Sequence, residues 1–339
     1  MKKNLLLITV TLALGLSWVG CNKSGKLDTV SKFTTPAGPV ELKFKWPVGE
    51  RVVQDIDMKM NMEITVPNQP APIKQDITMG QKYEISVLKE TAGGGREVEL
   101  EFLSTRMMVA MGGKTMVDYD STKKPSNDRK DPMTATFQKT FQNIIGSKIQ
   151  YFLDASNHVE RIEGVDALVN RLTTGGQGDP TAGIKSMFNE GYLKQMIGDS
   201  RYMPSKPVQP GDTWPVQLDI SMGDLGAMMM DYTFTFQSWE QHGKRTCARL
   251  EFQGTFKNKP DQNSKPAGMT MTIQDGNSSG VSWFDPELGI VTETIINQDM
   301  KMNMTMPVNP RGNAAAAGKT QTITSLMKQE INIKLESVK

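Results

Sequence analysis

Few side chains in this chain could build a chemical site. There are two histidines, two cysteines and an excess of methionine, 24 residues in 339. Cys21 has the most specific chemistry. It follows Met1-Lys2-Lys3, an apolar run from Leu5 to Val19, and the small residue Gly20. Two lysines, about fifteen mostly apolar residues and a small residue before a cysteine read as a secretory signal with a lipoprotein-type cleavage site. The expected mature chain begins at Cys21, carries acyl chains (palmitate) there, and attaches to membrane lipid through them. The run is shorter than the roughly 20 apolar residues of a spanning helix, and Asn22-Lys23-Ser24-Gly25-Lys26 ends it abruptly.

Methionine supplies the second candidate. Asp57-Met58-Lys59-Met60-Asn61-Met62 recurs as Asp299-Met300-Lys301-Met302-Asn303-Met304. In a strand, alternate side chains share a face. Met58, Met60 and Met62 therefore form one apolar face, and Met300, Met302 and Met304 form another. Three readings stand side by side. Methionine is flexible and fills irregular cores, and it also lines surfaces that accept varied apolar shapes, such as a lipid. Its thioether is a soft ligand for copper(I). Alternate positions on one strand lie about 6.6–7 Å apart, so a three-thioether copper site needs neighbouring strands to converge.

Catalysis finds little to work with. Nucleophilic chemistry needs a nucleophile, a base and an orienting group. His158 and His242 sit in predicted turns with no nucleophile motif nearby, and both read as exposed. Cys247 reads as a small buried hydrophobe. Asp154 and Asp285 end hairpin strands, where Asp serves turn geometry. Gly93-Gly94-Gly95 and Gly175-Gly176-Gln177-Gly178 lack the Lys-Ser/Thr of a phosphate loop. The expectation is a chain that is not an enzyme, with no cofactor and no metal. A net charge of +2 gives no reason to expect a nucleic-acid partner.

The elements that must position these residues read as a β-rich α+β protein. After the signal (1–20), residues 21–40 are small and polar and read as a flexible tether. An N-terminal lobe is expected over 41–203 and a C-terminal lobe over 204–339. Each is an antiparallel β-meander, so the fold is a curved sheet or half-barrel with an internal duplication. Glu41–Trp46, Val52–Val66, Ile77–Leu88 and Glu97–Met107 alternate as strands. Pro47-Val48-Gly49-Glu50 returns as Gln209-Pro210-Gly211-Asp212. Tyr151–Val159 returns as Ser282–Val291, an aromatic strand ending at Asp and turning through Asn or Gly. Helices are expected over 132–145, 165–172 and 181–197, as a central cover on one face of the sheet. A last strand runs from Gln321 to Val338.

Two likenesses add to this reading. Ser17-Trp18-Val19-Gly20-Cys21 resembles the bacterial lipobox, although Trp18 stands where Leu is usual. By the sorting rule it resembles, Asn22 after the cysteine implies the outer membrane, facing the periplasm. Trp46-Pro47-Val48-Gly49-Glu50, Tyr151-Phe152-Leu153-Asp154, Gly164-Val165-Asp166-Ala167-Leu168 and Gly211-Asp212-Thr213-Trp214 resemble a family of uncharacterised envelope lipoproteins, defined only as a domain of unknown function. The resemblance implies secretion and a β-rich body, and it supplies no catalytic residues. More loosely, a sheet with covering helices looks like the lipoprotein-localisation carriers of the periplasm. Together these readings lead to an anchored binding protein for an apolar or lipid-like ligand. The alternative is a structural lipoprotein that meets another envelope protein.

Overall fold

A computed structural model describes residues 29–123, 141–172, 202–221, 227–259, 270–307 and 320–339, with a few single positions between them. Twelve strands form one antiparallel sheet. The N-terminal lobe supplies β1 (Arg51–Thr65), β2 (Ile73–Glu90), β3 (Arg96–Met111), β4 (Lys114–Asp120), β5 (Lys148–Leu153) and β6 (Val159–Glu163). The C-terminal lobe supplies β7 (Thr213–Ser221), β8 (Ala227–His242), β9 (Arg245–Lys259), β10 (Thr270–Asp285), β11 (Ile290–Pro307) and β12 (Thr320–Val338). The order is β6-β5-β3-β2-β1-β12-β11-β10-β9-β8-β7, with β4 also on β3. Each lobe is a meander, and β1 paired with β12 joins them into one sheet that does not close on itself. Pro215 lies in β7, at the sheet edge, where its missing N–H costs no ladder bond.

The duplication is visible in the turns. Gly49 and Gly211 both adopt positive φ two residues before a strand, and each is followed by an acid, Glu50 or Asp212. Glycine takes this conformation without the steric penalty of a side chain. The β5–β6 and β10–β11 turns also match. Asp154 Oδ1 accepts from the backbone N–H groups of Ser156 and His158, and Asp285 Oδ1 from those of Glu287 and Leu288. Asn157 and Gly289 then take the left-handed position.

Several expectations need adjustment. Glu41–Trp46 does alternate, with Leu42, Phe44 and Trp46 buried, but it pairs with no strand among the described residues. It is an extended strap. Val40 bridges to Val208, Lys45 N donates to Gly289 O, and Arg96 Nε donates to Trp46 O. Upstream, residues 29–33 continue the strap. Ser31 Oγ donates to Glu287, Ser31 N donates to Lys244 O, and Phe33 packs on Trp239 at 5.1 Å. β3 runs on to Met111 instead of ending at Met107, and turns through Gly112-Gly113 into β4. Of the three expected helices, α1 (Val165–Leu172) is described, and it buries Leu168 and Leu172. Those over 132–145 and 181–197 fall largely outside the described residues. Phe141, which stacks on Tyr119, and Leu193, whose carbonyl accepts from the Tyr151 hydroxyl, join the core from these regions.

The strap is held by a buried ion cluster. Arg245 Nε donates to Asp285 Oδ2 at 2.5 Å and its NH2 group to Glu287 Oε2 at 2.9 Å. The Arg245 and Asp285 side chains are 3% and 0% exposed. Burial works against the Glu287 charge. The Ser31 hydroxyl, Arg245 and the Lys32 amide outweigh it, and its carboxyl lies below the ordinary value of 4.5. A lowered carboxyl contributes stability above its unfolded pKa and loses it as pH falls through the folded one. Acidification below about pH 4.5 is therefore expected to release residues 29–33, with Trp239 fluorescence changing before the sheet melts. A Glu287→Gln variant should show the released signal at neutral pH. Coincident loss of the strap and the sheet at all pH values would contradict this.

Candidate functional site

One face of the sheet is apolar, and the ladder register arranges it in levels that cross the strands. The first level is aromatic and aliphatic. Met79 and Met58 on β2 and β1 face Ile331 and Ile296 on β12 and β11. The level continues through Phe252 and Phe234 to Trp214, stacked on Phe234 at 5.8 Å. A third methionine, Met107, extends it onto β3.

Two residues along each strand lies a level of another kind. Met60 on β1 faces Gln329 on β12, and Gln329 faces Gln298 on β11. Gln298 faces Ser278 on β10, Ser278 faces Gly254 on β9, and Gly254 faces Tyr232 on β8. All four polar residues, Gln329, Gln298, Ser278 and Tyr232, are buried. Gly254 is the device that joins them. A Cβ there would lie 2.4 Å from the Tyr232 ring, so its absence lets Tyr232 lean across β9. The Tyr232 hydroxyl then donates to Ser278 Oγ at 3.0 Å, and Gln298 Nε2 donates to the same oxygen at 3.5 Å. Burial pushes the Tyr232 phenol up to about 12, partly offset by Ser278 and Gln298, so it stays a neutral donor. Gln329 Nε2 donates to Met58 Sδ. The carboxamide oxygens of Gln298 and Gln329 are buried and accept no hydrogen bond among the described residues. An unpaired buried acceptor costs about 1–3 kcal/mol, so this level is incomplete as it stands.

The third level is methionine again. Met62 faces Met327, and Met327 faces Met300. Gly276 follows, in contact range of Met300 and Phe256. The two copies of the Asp-Met-Lys-Met-Asn-Met segment thus flank β12 from opposite sides. Beyond them Met302 faces Ser325, and Met304 faces Ile323. The six methionines singled out from the sequence, Met58, Met60, Met62, Met300, Met302 and Met304, lie on one continuous face and not on two. All are buried, from 1% to 9% exposed, so the face is filled rather than an open groove. Met62, Met327 and Met300 are register partners on three adjacent strands.

The remaining candidates serve structure. Cys21 lies outside the described residues. Cys247 is fully buried, its thiol pushed up to about 12 by burial and by nearby Asp285, and it acts as core. His158 is exposed and pairs with Asp154 in its turn, as expected. His242 is not an exposed turn residue. It ends β8, stacks on Trp283 at 4.4 Å and bonds Glu293 at 2.9 Å. A separate cleft of about 800 Å³ lies beside the strap, between Phe44, Trp46, Arg96, His158 and Met203. Arg96 spends its donors there on the carbonyls of Trp46, Gly94 and Gly95, and so braces the strap. The sequence reading missed the polar level. Its only sequence signal was Gln298 and Gln329 at positions where the strand pattern calls for an apolar side chain.

Residues 94–291, more than half of the chain, match the pattern of a family of unknown function, DUF6263. The chain belongs to that family. The matched DUF6263 region runs from the β2–β3 turn to the start of β11, and so carries Tyr232, Gly254 and Ser278 but neither glutamine of the polar level. No curated protein matches the chain. Among solved structures, lipovitellin, described for its lipid–protein interactions, aligns at 11% identity with a TM-score of 0.40. The alignment covers 86% of this chain and 26% of lipovitellin, so the chain spans about a quarter of that protein. An exported protein of Bacteroides fragilis with a YmcC-like fold aligns at 12% identity and a TM-score of 0.28, over 88% of this chain and all of the other. The outer membrane protein OprG of Pseudomonas aeruginosa aligns at 8% identity and a TM-score of 0.18, over 86% and 96%.

Proposed function

We infer that this DUF6263 protein is a non-enzymatic binding protein of the cell envelope. Acyl chains on Cys21 hold it to a membrane, the outer membrane by the identity of Asn22, and its methionine-faced sheet takes up an apolar or lipid-like ligand. One observation carries the reading. The duplicated methionine segments converge on β12 and surround a buried polar level that the protein leaves unsatisfied. A core built only for stability gains nothing from unpaired acceptors. Unbranched thioether side chains, by contrast, can repack around a guest. The strap fits an anchored protein. Thr29, which Arg245 holds, lies eight positions after Cys21. Eight residues reach at most about 28 Å, so the β8–β9 and β10–β11 turns would stay close to the lipid surface.

Native mass spectrometry of the full chain after gentle extraction tests this. The expected result is a copurifying lipid in the mass range of an acyl chain, displaced by an added fatty acid. A second reading, a structural lipoprotein that meets an envelope protein, is favoured by the 1–3% exposure of Met58, Met60 and Met62. A lipid-free chain that recovers one stoichiometric protein partner would decide for it and against ligand binding.

A further inference from the structure

We propose that the polar level is a recognition site for the hydrogen-bond-donating group of an amphipathic lipid, a hydroxyl or amide N–H carried part-way along an apolar chain. The proposal rests on the ligand-binding reading and names what the site selects. The free groups among the described residues are the carboxamide oxygens of Gln298 and Gln329, two residues that are register partners on adjacent strands and are 2% and 4% exposed. The orientation of Gln329 follows from its neighbour. Met58 Sδ can only accept, so the Nε2 group must face it, and the oxygen is the end left unpaired. Gln298 turns its Nε2 group to Ser278 Oγ, which also accepts from the Tyr232 hydroxyl.

Two unpaired acceptors select a donor. A carboxylate or phosphate brings only lone pairs and would meet lone pairs. The levels on either side set where along the ligand that donor must lie. Met62, Met327 and Met300 form the level on one side, and Met58, Ile331 and Ile296 the level on the other. A donor at the polar level is therefore flanked by hydrocarbon surface in both directions, which suits a substituent in mid-chain better than a terminal head group. Tyr232, reaching across Gly254 to Ser278, holds the far end of the polar level in place without spending either glutamine oxygen.

The test compares stearate with a mid-chain hydroxystearate as competitors of a fluorescent fatty acid bound to the full chain. It uses the wild type and a Gln298→Leu/Gln329→Leu variant. The wild type is expected to prefer the hydroxylated probe by about ten-fold, the worth of one well-made buried hydrogen bond. The double variant should bind stearate and lose the preference, with a melting temperature equal to or above the wild type's. If the double variant does not fold, Gln329→Met is expected to reduce the preference by itself. Equal binding of the two probes by the wild type, or a preference that survives the substitutions, overturns the polar site and leaves the apolar-ligand reading standing. Failure of the wild type to bind either probe removes both.

Discussion

Replacing Arg245 with methionine is expected to destabilise the protein by about 3–5 kcal/mol, the usual cost of removing one partner of a buried ion pair. The size follows from what is left behind. Asp285 is fully buried, and Arg245 Nε is its charged partner. Its other oxygen already accepts two backbone amides in the β10–β11 turn. The variant leaves a carboxylate facing methionine in the core. The same guanidinium also reaches Glu287 and Thr29, so the strap should come loose with it. A variant that removes both charges, Arg245→Met with Asp285→Asn, should recover much of the loss, because it leaves no unpaired charge. Urea denaturation of the three proteins measures this. A single variant within about 1 kcal/mol of wild type would show that the cluster is solvated and that the strap is held by other contacts.

This ion pair marks the limit of what the sequence could disclose. Period-two alternation was legible wherever one face of a strand is buried. The Met58–Met60–Met62 face, the long last strand and the paired Asp turns all follow from it. Alternation in Glu41–Trp46 was also real, but burial on one side does not require a ladder partner, and the segment became a strap. Gly112-Gly113, both at positive φ, is a two-residue hairpin signal that the strand reading, ending at Met107, did not use. Cross-strand register was not legible. β1 pairs with β12 over some 270 intervening residues. Nothing local to Gln329 says that it will face Gln298, or that both will lie beside Met58. Sequence therefore gave the methionine faces as two separate faces, and only the seam between the lobes makes them one.

That seam sets the second large effect. Met58→Ala is expected to cost about 2–5 kcal/mol, as for other fully buried large-to-small changes. Met58 is 1% exposed, on a central strand, and opposite Met79 and Ile331. Its loss also removes the acceptor that Gln329 Nε2 uses, so part of the cost is a newly orphaned amide. Met58→Leu keeps the volume but not the acceptor, so it should cost less than the alanine change, about the 1–3 kcal/mol of the orphaned Gln329 amide. The contrast becomes informative when Met58, Met60 and Met62 are all changed to leucine. If the methionines are core filler, the triple variant behaves as a well-packed protein with nothing else lost. If they are there to repack around a guest, it keeps its stability in urea apart from the share of the orphaned Gln329 amide and loses most of its fatty-acid uptake, because branched leucine has fewer ways to yield than an unbranched thioether. Stability and uptake measured on the same preparation separate the two roles. Retention of both by the leucine variant would count against a ligand face built of methionine.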